Sequence, residues 1–284
     1  MADKNTVFQQ KLSLNINGKL MDLSKPKIMG ILNLTPDSFY DGGKNNNTLE
    51  ALRKTEQLLA EGADIIDLGA YSSRPGAEHI TETQELERML PILRSIVTEF
   101  PEALISIDTF RSFIAKAAIS EGAHIINDIS GGEMDPEMFK TVAELKVPYV
   151  LMHMKGTPQN MVSKSDYQNI TIEVNQYFAE KISELKQLGV VDIIIDPGFG
   201  FAKTPEHSFE LLKNLQALKF TGHPVLAGLS RKSMIYKTLG TDAENALNGT
   251  TAANVVALMN GANILRVHDV RAAAEAIEIV ERVR

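Results

Sequence analysis

Short apolar runs alternate along the chain with longer segments in which apolar positions recur every three to four residues. The runs have the length of strands, and the longer segments have the period of amphipathic helices. From residue 27 onward there are eight runs: KIMGILNLT, DIIDLGA, LISIDTF, HIINDIS, PYVLMHM, DIIIDPG, PVLAGLS and ILRVHDV. Such continuous apolar strands are typical of parallel sheets that are covered on both faces. The pattern predicts an α/β fold, a (β/α)8 TIM barrel that occupies residues 27–284 as a single domain.

Residues 1–26 carry a different pattern. Apolar and polar residues alternate between Leu12 and Leu23 around Asn17-Gly18, a pair that strongly favours a two-residue hairpin turn. We therefore expect an N-terminal extension with a β-hairpin, acting as a plug or lid outside the main fold. A doubly wound open sheet is the alternative fold. It is disfavoured because such sheets usually have fewer strands and a G-x-G-x-x-G turn, and none follows the first run.

The composition excludes several classes of function. A net charge of -7 argues against nonspecific binding of nucleic acid. The absence of cysteine excludes disulfides, thiolate zinc sites and a cysteine nucleophile. The first residues, MADKNTVFQQ, lack the apolar core of a signal peptide, and no later run approaches the roughly 18 apolar residues that span a bilayer. We expect a cytoplasmic protein that binds neither nucleic acid nor membranes.

The stretch DIIIDPGFGFAK, residues 192–203, shows where one strand ends. Its three isoleucines predict a strand buried on both faces, and Pro197 ends it because proline cannot donate to the sheet. Asp196 therefore lies at the carboxyl end of a buried strand, where it could recognise a ligand. An aspartate that caps the following helix is the alternative interpretation of this single position.

Polar residues recur at the carboxyl ends of nearly all the predicted strands, which is the face where a barrel carries its active site. They are Asn33, Asp67, Asp108, Asn127, Asp128, His153, Asp196, Ser230, Arg231, Lys232, Arg266, His268 and Asp269. Helix capping would explain one or two of them. It does not explain a ring that combines carboxylates, amides and cations, so we interpret the ring as functional.

Two kinds of chemistry are present in this ring. Asp108, Asn127 and Asp196 are suited to pair with the edge of a planar aminopyrimidine, although the same oxygens could instead bind Mg²⁺. The cations converge from different strands and predict a phosphate or diphosphate site. They are Arg74, Lys232, Arg266 and His268. Each cation taken alone could equally be a solvated surface charge.

Two loops are longer than simple connections require. TPDSFYDGGKNNN follows the first strand and YSSRPGAEHITE follows the second, and both combine proline, glycine and an aromatic residue as active-site lids do. Phe39 and Pro75 are candidates for packing against a ligand. An ordinary surface loop is the alternative for each. Met152 and Met154 are expected to be packing residues, although a methionine can also face a flat ring.

Several motifs, in this order along the chain, resemble the dihydropteroate synthase family. They are GILNLTPDSF (residues 30–39), SRPG (73–76), IDT (107–109), ND (127–128), DPGFGF (196–201), SRKS (230–233) and RVHD (266–269). The resemblance covers essentially the whole chain from Ile28 to Val283. It implies a (β/α)8 homodimer that condenses 6-hydroxymethyl-7,8-dihydropterin diphosphate with p-aminobenzoate to give 7,8-dihydropteroate and diphosphate. Sulfonamides, which mimic p-aminobenzoate, act on this family.

The resemblance also implies roles for individual residues. The residues that would bind the pterin are Asp108, Asn127, Met152, Asp196, Gly228, Lys232 and Arg266. Those for the diphosphate are Ser73, Arg74, Arg266 and His268, and those for p-aminobenzoate are Phe39, Pro75, Phe201, Ser230 and Ser233. Asn33 would bind the Mg²⁺ cofactor. The residues expected to take part in catalysis are Asn33, Asp37, Arg74, Lys232, Arg266 and His268, by a dissociative substitution that needs no protein nucleophile.

A few positions depart from the family pattern. Tyr71 and Ser73 stand where the family more commonly has glutamate and threonine, and Ala202 and Ser208 stand where glycine and asparagine are frequent. Two other functions remain as alternatives. A methyltetrahydrofolate-corrinoid methyltransferase would share the barrel and the pterin pocket but would need no diphosphate site. A catalytically idle pterin-binding paralogue would be expected to lack the residues for metal or diphosphate.

Overall fold

The computed structural model describes residues 10–34, 43–71 and 80–283. An antiparallel hairpin comes first and consists of β1 (Ser13–Ile16) and β2 (Lys19–Asp22). Eight parallel strands follow. They are β3 (Lys27–Asn33), β4 (Ile65–Gly69), β5 (Leu104–Asp108), β6 (Ile125–Asp128), β7 (Tyr149–Met152), β8 (Ile193–Asp196), β9 (Leu226–Ala227) and β10 (Ile264–Val267).

The eight parallel strands form a barrel. Their spatial order is β8-β7-β6-β5-β4-β3-β10-β9. A parallel bridge between Ile195 and Val225 joins the two ends of this order, and the Ile195 N–H donates to the Pro224 carbonyl at 2.9 Å. All eight strands predicted from the apolar runs are confirmed. The doubly wound alternative is wrong, because the two edge strands of an open sheet would not pair with each other.

Helices cover the outside of the barrel. In the described parts of the chain they are α1 (Gly43–Ala60), α2 (Glu82–Glu99), α3 (Ser112–Ser120), α4 (Met138–Leu145), α5 (Ile170–Gln187), α6 (Pro205–Lys213), α7 (Ser233–Thr238), α8 (Leu247–Met259) and α9 (Val270–Glu281). Local sequence starts several of them. Thr81 forms a capping box with Gln84, and Thr204 caps α6 just before Pro205. Across the described segments, no helix combines the length and the apolarity needed to cross a membrane.

The N-terminal hairpin closes one end of the barrel. Its turn uses Asn17 and Gly18 at φ 50° and 81°, the left-handed conformation that an Asn-Gly hairpin turn requires. Leu14, Ile16 and Leu23 are buried against apolar side chains from the amino-terminal halves of the strands. The predicted hairpin is therefore confirmed, and it is a plug at the end opposite the carboxyl ends of the strands.

Alternation along each strand decides which side chains point into the barrel. The apolar layer above the hairpin contains Met29, Ile65, Ile125, Val150, Ile194, Leu226 and Ile264. Residues two positions later in a strand point the same way. Two residues after Ile65, Ile125, Val150, Ile194, Leu226 and Ile264 come Asp67, Asn127, Met152, Asp196, Gly228 and Arg266. Four of these six residues are polar or charged, so the next inward layer, at the carboxyl face of the barrel, is largely polar.

Candidate active site

A cavity opens at the carboxyl ends of the strands. The residues that line it are Asp108, Asn127, Ile129, Met152, Asp196, Gly198, Phe199, Phe201, Gly228, Lys232 and Arg266. All the residues predicted to bind a pterin are in this set. Their convergence is a finding of the structure, whereas their individual roles in binding stay predictions.

A buried ionic network forms one wall of the cavity. The Arg266 guanidinium donates from Nε to Asp67 Oδ2 and from Nη2 to Asp108 Oδ2, both at 2.6 Å. Asn127 Nδ2 donates to the same Asp67 oxygen at 3.0 Å. Burial alone would lower the pKa of Arg266, but the charges of Asp67 and Asp108 raise it above its ordinary value. Arg266 is therefore a fixed, permanent cation at the cavity.

Asp67 is a site residue to which the sequence assigned no role. It was only one member of the strand-end ring, but its side chain is fully buried and orients both Arg266 and Asn127. We describe Asp67 as a positioning residue, because it acts on the cavity by orienting Arg266 and Asn127, which line it. The available signal was its inward-pointing position in the middle of β4, two residues after Ile65.

Burial shifts the pKa values of two carboxyl groups in the cavity. Burial raises the pKa of Asp108 to about 7, although the Arg266 charge works in the opposite direction. Burial also raises the pKa of Asp196, and the Gly198 N–H that donates to its Oδ1 at 2.7 Å opposes the change. A ligand that supplies N–H donors would favour the ionised form of both groups.

Lys232 and a Ser-His pair complete the mouth of the cavity. Lys232 Nζ lies 4.1 Å from the centre of the Phe201 ring, within the range of a cation–π contact. Burial lowers the pKa of Lys232 to about 8, against the opposing charge of Asp196. Ser230 Oγ lies 3.0 Å from His268 Nδ1 and accepts the His268 backbone N–H at 3.2 Å. Cationic and hydroxyl groups thus stand on the rim beside β9 and β10.

Several members of the predicted ring do not line the cavity and form hydrogen bonds or ion pairs with other residues of the chain. Asp128 is buried and accepts hydrogen bonds from the Tyr149 hydroxyl and from the Ser130 and Gly132 backbones, so it holds the loop after β6. Arg231 forms a two-point ion pair with Asp269, with a shorter distance of 2.7 Å. Each of these residues follows or precedes an inward position by one residue, so a place for it in a single functional ring stays a prediction.

The remaining predicted residues fall into two groups. Asn33 ends β3 and is half-buried at the barrel mouth, and Ser233 is the first residue of α7. The other group lies outside the described residues. It comprises Asp37, Phe39, Ser73, Arg74 and Pro75.

The positions that depart from the family pattern have local explanations. Ala202 has φ 48°, a left-handed conformation in which glycine is ordinarily favoured. Ser208 is buried, and its hydroxyl accepts the Gly200 N–H at 3.2 Å, which supports the turn after β8. The Tyr71 hydroxyl accepts a hydrogen bond from Gln159 at 3.1 Å.

Comparison with known proteins identifies the family. The family model described as "Pterin binding enzyme" matches residues 29–268. The dihydropteroate synthase of Escherichia coli (strain K12) is 41% identical over 272 residues, which cover 95% of this chain and 96% of the relative. The chain belongs to the dihydropteroate synthase family. The resemblance inferred from the motifs is thereby confirmed, and the chain is an enzyme, a transferase with dihydropteroate synthase activity.

Solved structures of dihydropteroate synthases share the whole fold. The Yersinia pestis enzyme, in a structure with a sulfonamide drug complex, is 39% identical with a TM-score of 0.90, covering 96% of this chain and 99% of its own. The Xanthomonas albilineans enzyme, in a structure with 4-aminobenzoic acid, is 37% identical with a TM-score of 0.89, covering 96% and 98%. The fold of this chain is therefore shared with these enzymes over nearly its whole length.

Proposed function

We propose that the cavity binds the pterin ring through Asp108, Asn127 and Asp196. The observation that carries this proposal is the convergence of two carboxyl groups and one amide in a narrow space among Met152, Phe199 and Gly228. Carboxylates accept the paired N–H donors of an aminopyrimidine, and an amide can both donate and accept. The planar ring would lie against Met152, with the Arg266 guanidinium over its other face.

The diphosphate would bind at the rim where the cations stand. Arg266 and His268 lie there, and Ser73 and Arg74 are expected to join them. Removal of diphosphate from the pterin methylene leaves positive charge on carbon, which the electron-rich ring can carry, while cations stabilise the charge that gathers on the leaving group. Lys232 lines the same cavity as Arg266. We infer a dissociative substitution in which diphosphate departs before the aniline nitrogen of p-aminobenzoate attacks.

Asn33 is the residue that we propose for Mg²⁺. Its amide oxygen is a hard ligand at the mouth of the barrel, and Mg²⁺ commonly takes only one or two protein ligands together with phosphate oxygens. Asn33 would supply one such protein ligand, and oxygens of the diphosphate would supply others. Bound there, Mg²⁺ would neutralise negative charge on the diphosphate.

We place p-aminobenzoate beside Phe201, Ser230 and Ser233. Phe201 offers a ring face next to the cavity, and Ser230 lies on the rim with its hydroxyl near His268. Phe39 and Pro75 are expected to complete the pocket. The complexes of the relatives with 4-aminobenzoic acid and with a sulfonamide drug support a site of this chemistry. A cytoplasmic location, where these small substrates would be met, remains our expectation.

We also propose that the chain forms a homodimer through α6, α7 and α8, three helices that contact one another. Large apolar side chains are exposed on these helices or directly after them, namely Phe209, Leu239, Leu247, Val256 and Met259. Exposed apolar side chains on adjacent helices are suited to an interface. Light scattering is expected to give twice the chain mass, and Val256→Glu is expected to shift it towards one chain. A single-chain mass for the unsubstituted protein would contradict the proposal.

The pterin proposal is tested by the pH dependence of pterin affinity. Asp108 must be ionised to accept N–H donors, so a pKa of about 7 in the free protein predicts weaker binding below that pH. Lys232 must keep its proton to donate, so a pKa of about 8 predicts weaker binding above that pH. Each linked proton changes affinity by at most about tenfold per pH unit. Calorimetry should therefore show maximal affinity between these values.

Two variants separate the limbs of this profile. In Asp108→Asn, the loss of pterin affinity at acidic pH should become smaller, and the part that remains should come from Asp196. In Lys232→Met, the loss of affinity at alkaline pH should become smaller, while the loss at acidic pH should stay the same. A pterin affinity that does not change from acidic to neutral pH would contradict the assignment of these carboxyl groups to the pterin.

A further inference from the structure

Lys203 is a buried lysine for which neither the motifs nor the mechanism has a role. It follows the turn after β8 and is only 8% exposed. Its Nζ lies 2.8 Å from His153 Nδ1, and it donates to the His153 carbonyl at 3.2 Å and to the Phe201 carbonyl at 3.0 Å. The side chain thus connects the residue after β7 to the turn after β8.

The surroundings of Lys203 match an ammonium group. Three acceptors face it, which equals the number of N–H donors that a lysine ammonium carries. Burial lowers the pKa of His153 to about 2, so the imidazole is neutral and can accept at Nδ1. Burial also lowers the pKa of Lys203, while Asp196 raises it and the charges of Lys232 and Lys155 lower it. Burying this group costs free energy that a methionine of similar length would not.

The segments joined by Lys203 both lead into the cavity. On one side His153 directly follows Met152, and on the other side Phe201 places its ring beside the Lys232 ammonium. Close packing already fixes the first part of the turn. Gly198 approaches the His153 carbonyl so closely that a Cβ atom at Gly198 would lie 2.2 Å from that oxygen. Lys203 adds a polar link at the far end of the same turn, at Phe201 itself.

We propose that Lys203 is a positioning residue that sets the place of the Phe201 ring and thereby the affinity for the aniline substrate. By holding the Phe201 carbonyl against the end of β7, it fixes the ring that forms one side of the p-aminobenzoate pocket. On the pterin side of the cavity, Arg266, Asp67 and Asn127 form their own network, to which Lys203 does not belong. This inference rests on the function proposed above.

The test compares the two substrates in Lys203→Met, which keeps the length of the side chain and removes its donors. We expect the KM for p-aminobenzoate to rise about tenfold, while the pterin affinity measured by calorimetry changes less than about twofold. In a Phe201→Ala background, Lys203→Met should raise the same KM by less than about twofold, because the ring on which it acts is absent. General damage to the fold would instead weaken both substrates and would add to the Phe201→Ala effect.

Two further variants keep the test decisive if Lys203→Met does not fold. His153→Phe preserves a ring among its aromatic neighbours but removes the Nδ1 acceptor, and it should raise the KM for p-aminobenzoate in the same direction by about threefold. Lys213→Met, an exposed lysine of α6, is the matched control and should change neither substrate.

The outcomes separate this inference from the proposed function. An unsubstituted protein that binds pterin and turns over, together with folded Lys203→Met and His153→Phe variants whose KM for p-aminobenzoate is unchanged, would overturn the role of Lys203. Equal weakening of pterin and p-aminobenzoate would also overturn it. Absence of dihydropteroate formation by the unsubstituted protein would instead remove the proposed function on which the inference rests.

Discussion

Lys232→Ala is expected to lower kcat/KM by about 100- to 1000-fold, the usual cost of removing one group that stabilises developing charge in an active site. Lys232 lines the cavity with Asp196 and Arg266, and its Nζ lies 4.1 Å from the centre of the Phe201 ring. Its ammonium can therefore act both on the pterin and on charge that develops as diphosphate leaves. Steady-state kinetics with both substrates measures the effect.

The matched control for this prediction is Lys237→Ala. Lys237 is an exposed residue of α7, the helix that begins directly after Lys232. Its removal should leave kcat/KM within about twofold, since exposed charges contribute little to a distant site. Equal kinetics for Lys232→Ala and the unsubstituted enzyme would show that the SRKS motif is a surface feature.

Asp196→Asn is expected to keep the barrel intact and to lower pterin affinity by about 100-fold, or roughly 2.7 kcal/mol. The substitution preserves shape, and the amide oxygen can still accept the N–H of Gly198. It replaces one acceptor by a donor, which would then face the N–H donors of the pterin. Calorimetry measures the affinity, and circular dichroism confirms the fold.

Asp192→Asn serves as the control because it changes the residue just before the same strand. Asp192 faces the hairpin plug, where it binds Lys11 at 2.7 Å and accepts the Asn15 N–H at 3.1 Å. It should leave pterin affinity unchanged. If Asp196→Asn binds the pterin as tightly as the unsubstituted protein, Asp196 does not belong to the pterin site.

The sequence predicted the barrel because the same strand-and-helix pattern repeats along the chain. Eight apolar runs separated by helical segments leave few arrangements for a chain of this length, and the Asn17-Gly18 turn has a strong local preference. The sequence could not tell whether the hairpin was a plug or a lid. That distinction depends on Leu14, Ile16 and Leu23 meeting the amino-terminal layer of strands that are distant along the chain.

Site residues were harder to separate from their neighbours. Asn127 points into the cavity and Asp128 points outward to Tyr149, yet both stand at the end of one strand. In strands buried on both faces, apolar residues occupy inward and outward positions alike, so the sequence lacks the alternation that would reveal direction. The same ambiguity concealed the role of Asp67.

Long-range contacts account for what the motifs did not show. Lys203 and His153 are 50 positions apart, and their contact follows only from the neighbouring places of β7 and β8 in the barrel. Ala202 illustrates a second limit. A family pattern with glycine at this position suggests a special backbone, but only the structure shows that the alanine retains the left-handed conformation.

The most direct test of the central claim follows diphosphate and dihydropteroate together. The purified protein is supplied with 6-hydroxymethyl-7,8-dihydropterin diphosphate and Mg²⁺, with and without p-aminobenzoate. We expect equal amounts of the two products, and sustained turnover only when p-aminobenzoate is present. Tight pterin binding without either product would contradict the account and would favour an idle pterin-binding protein or a methyl-transferring barrel.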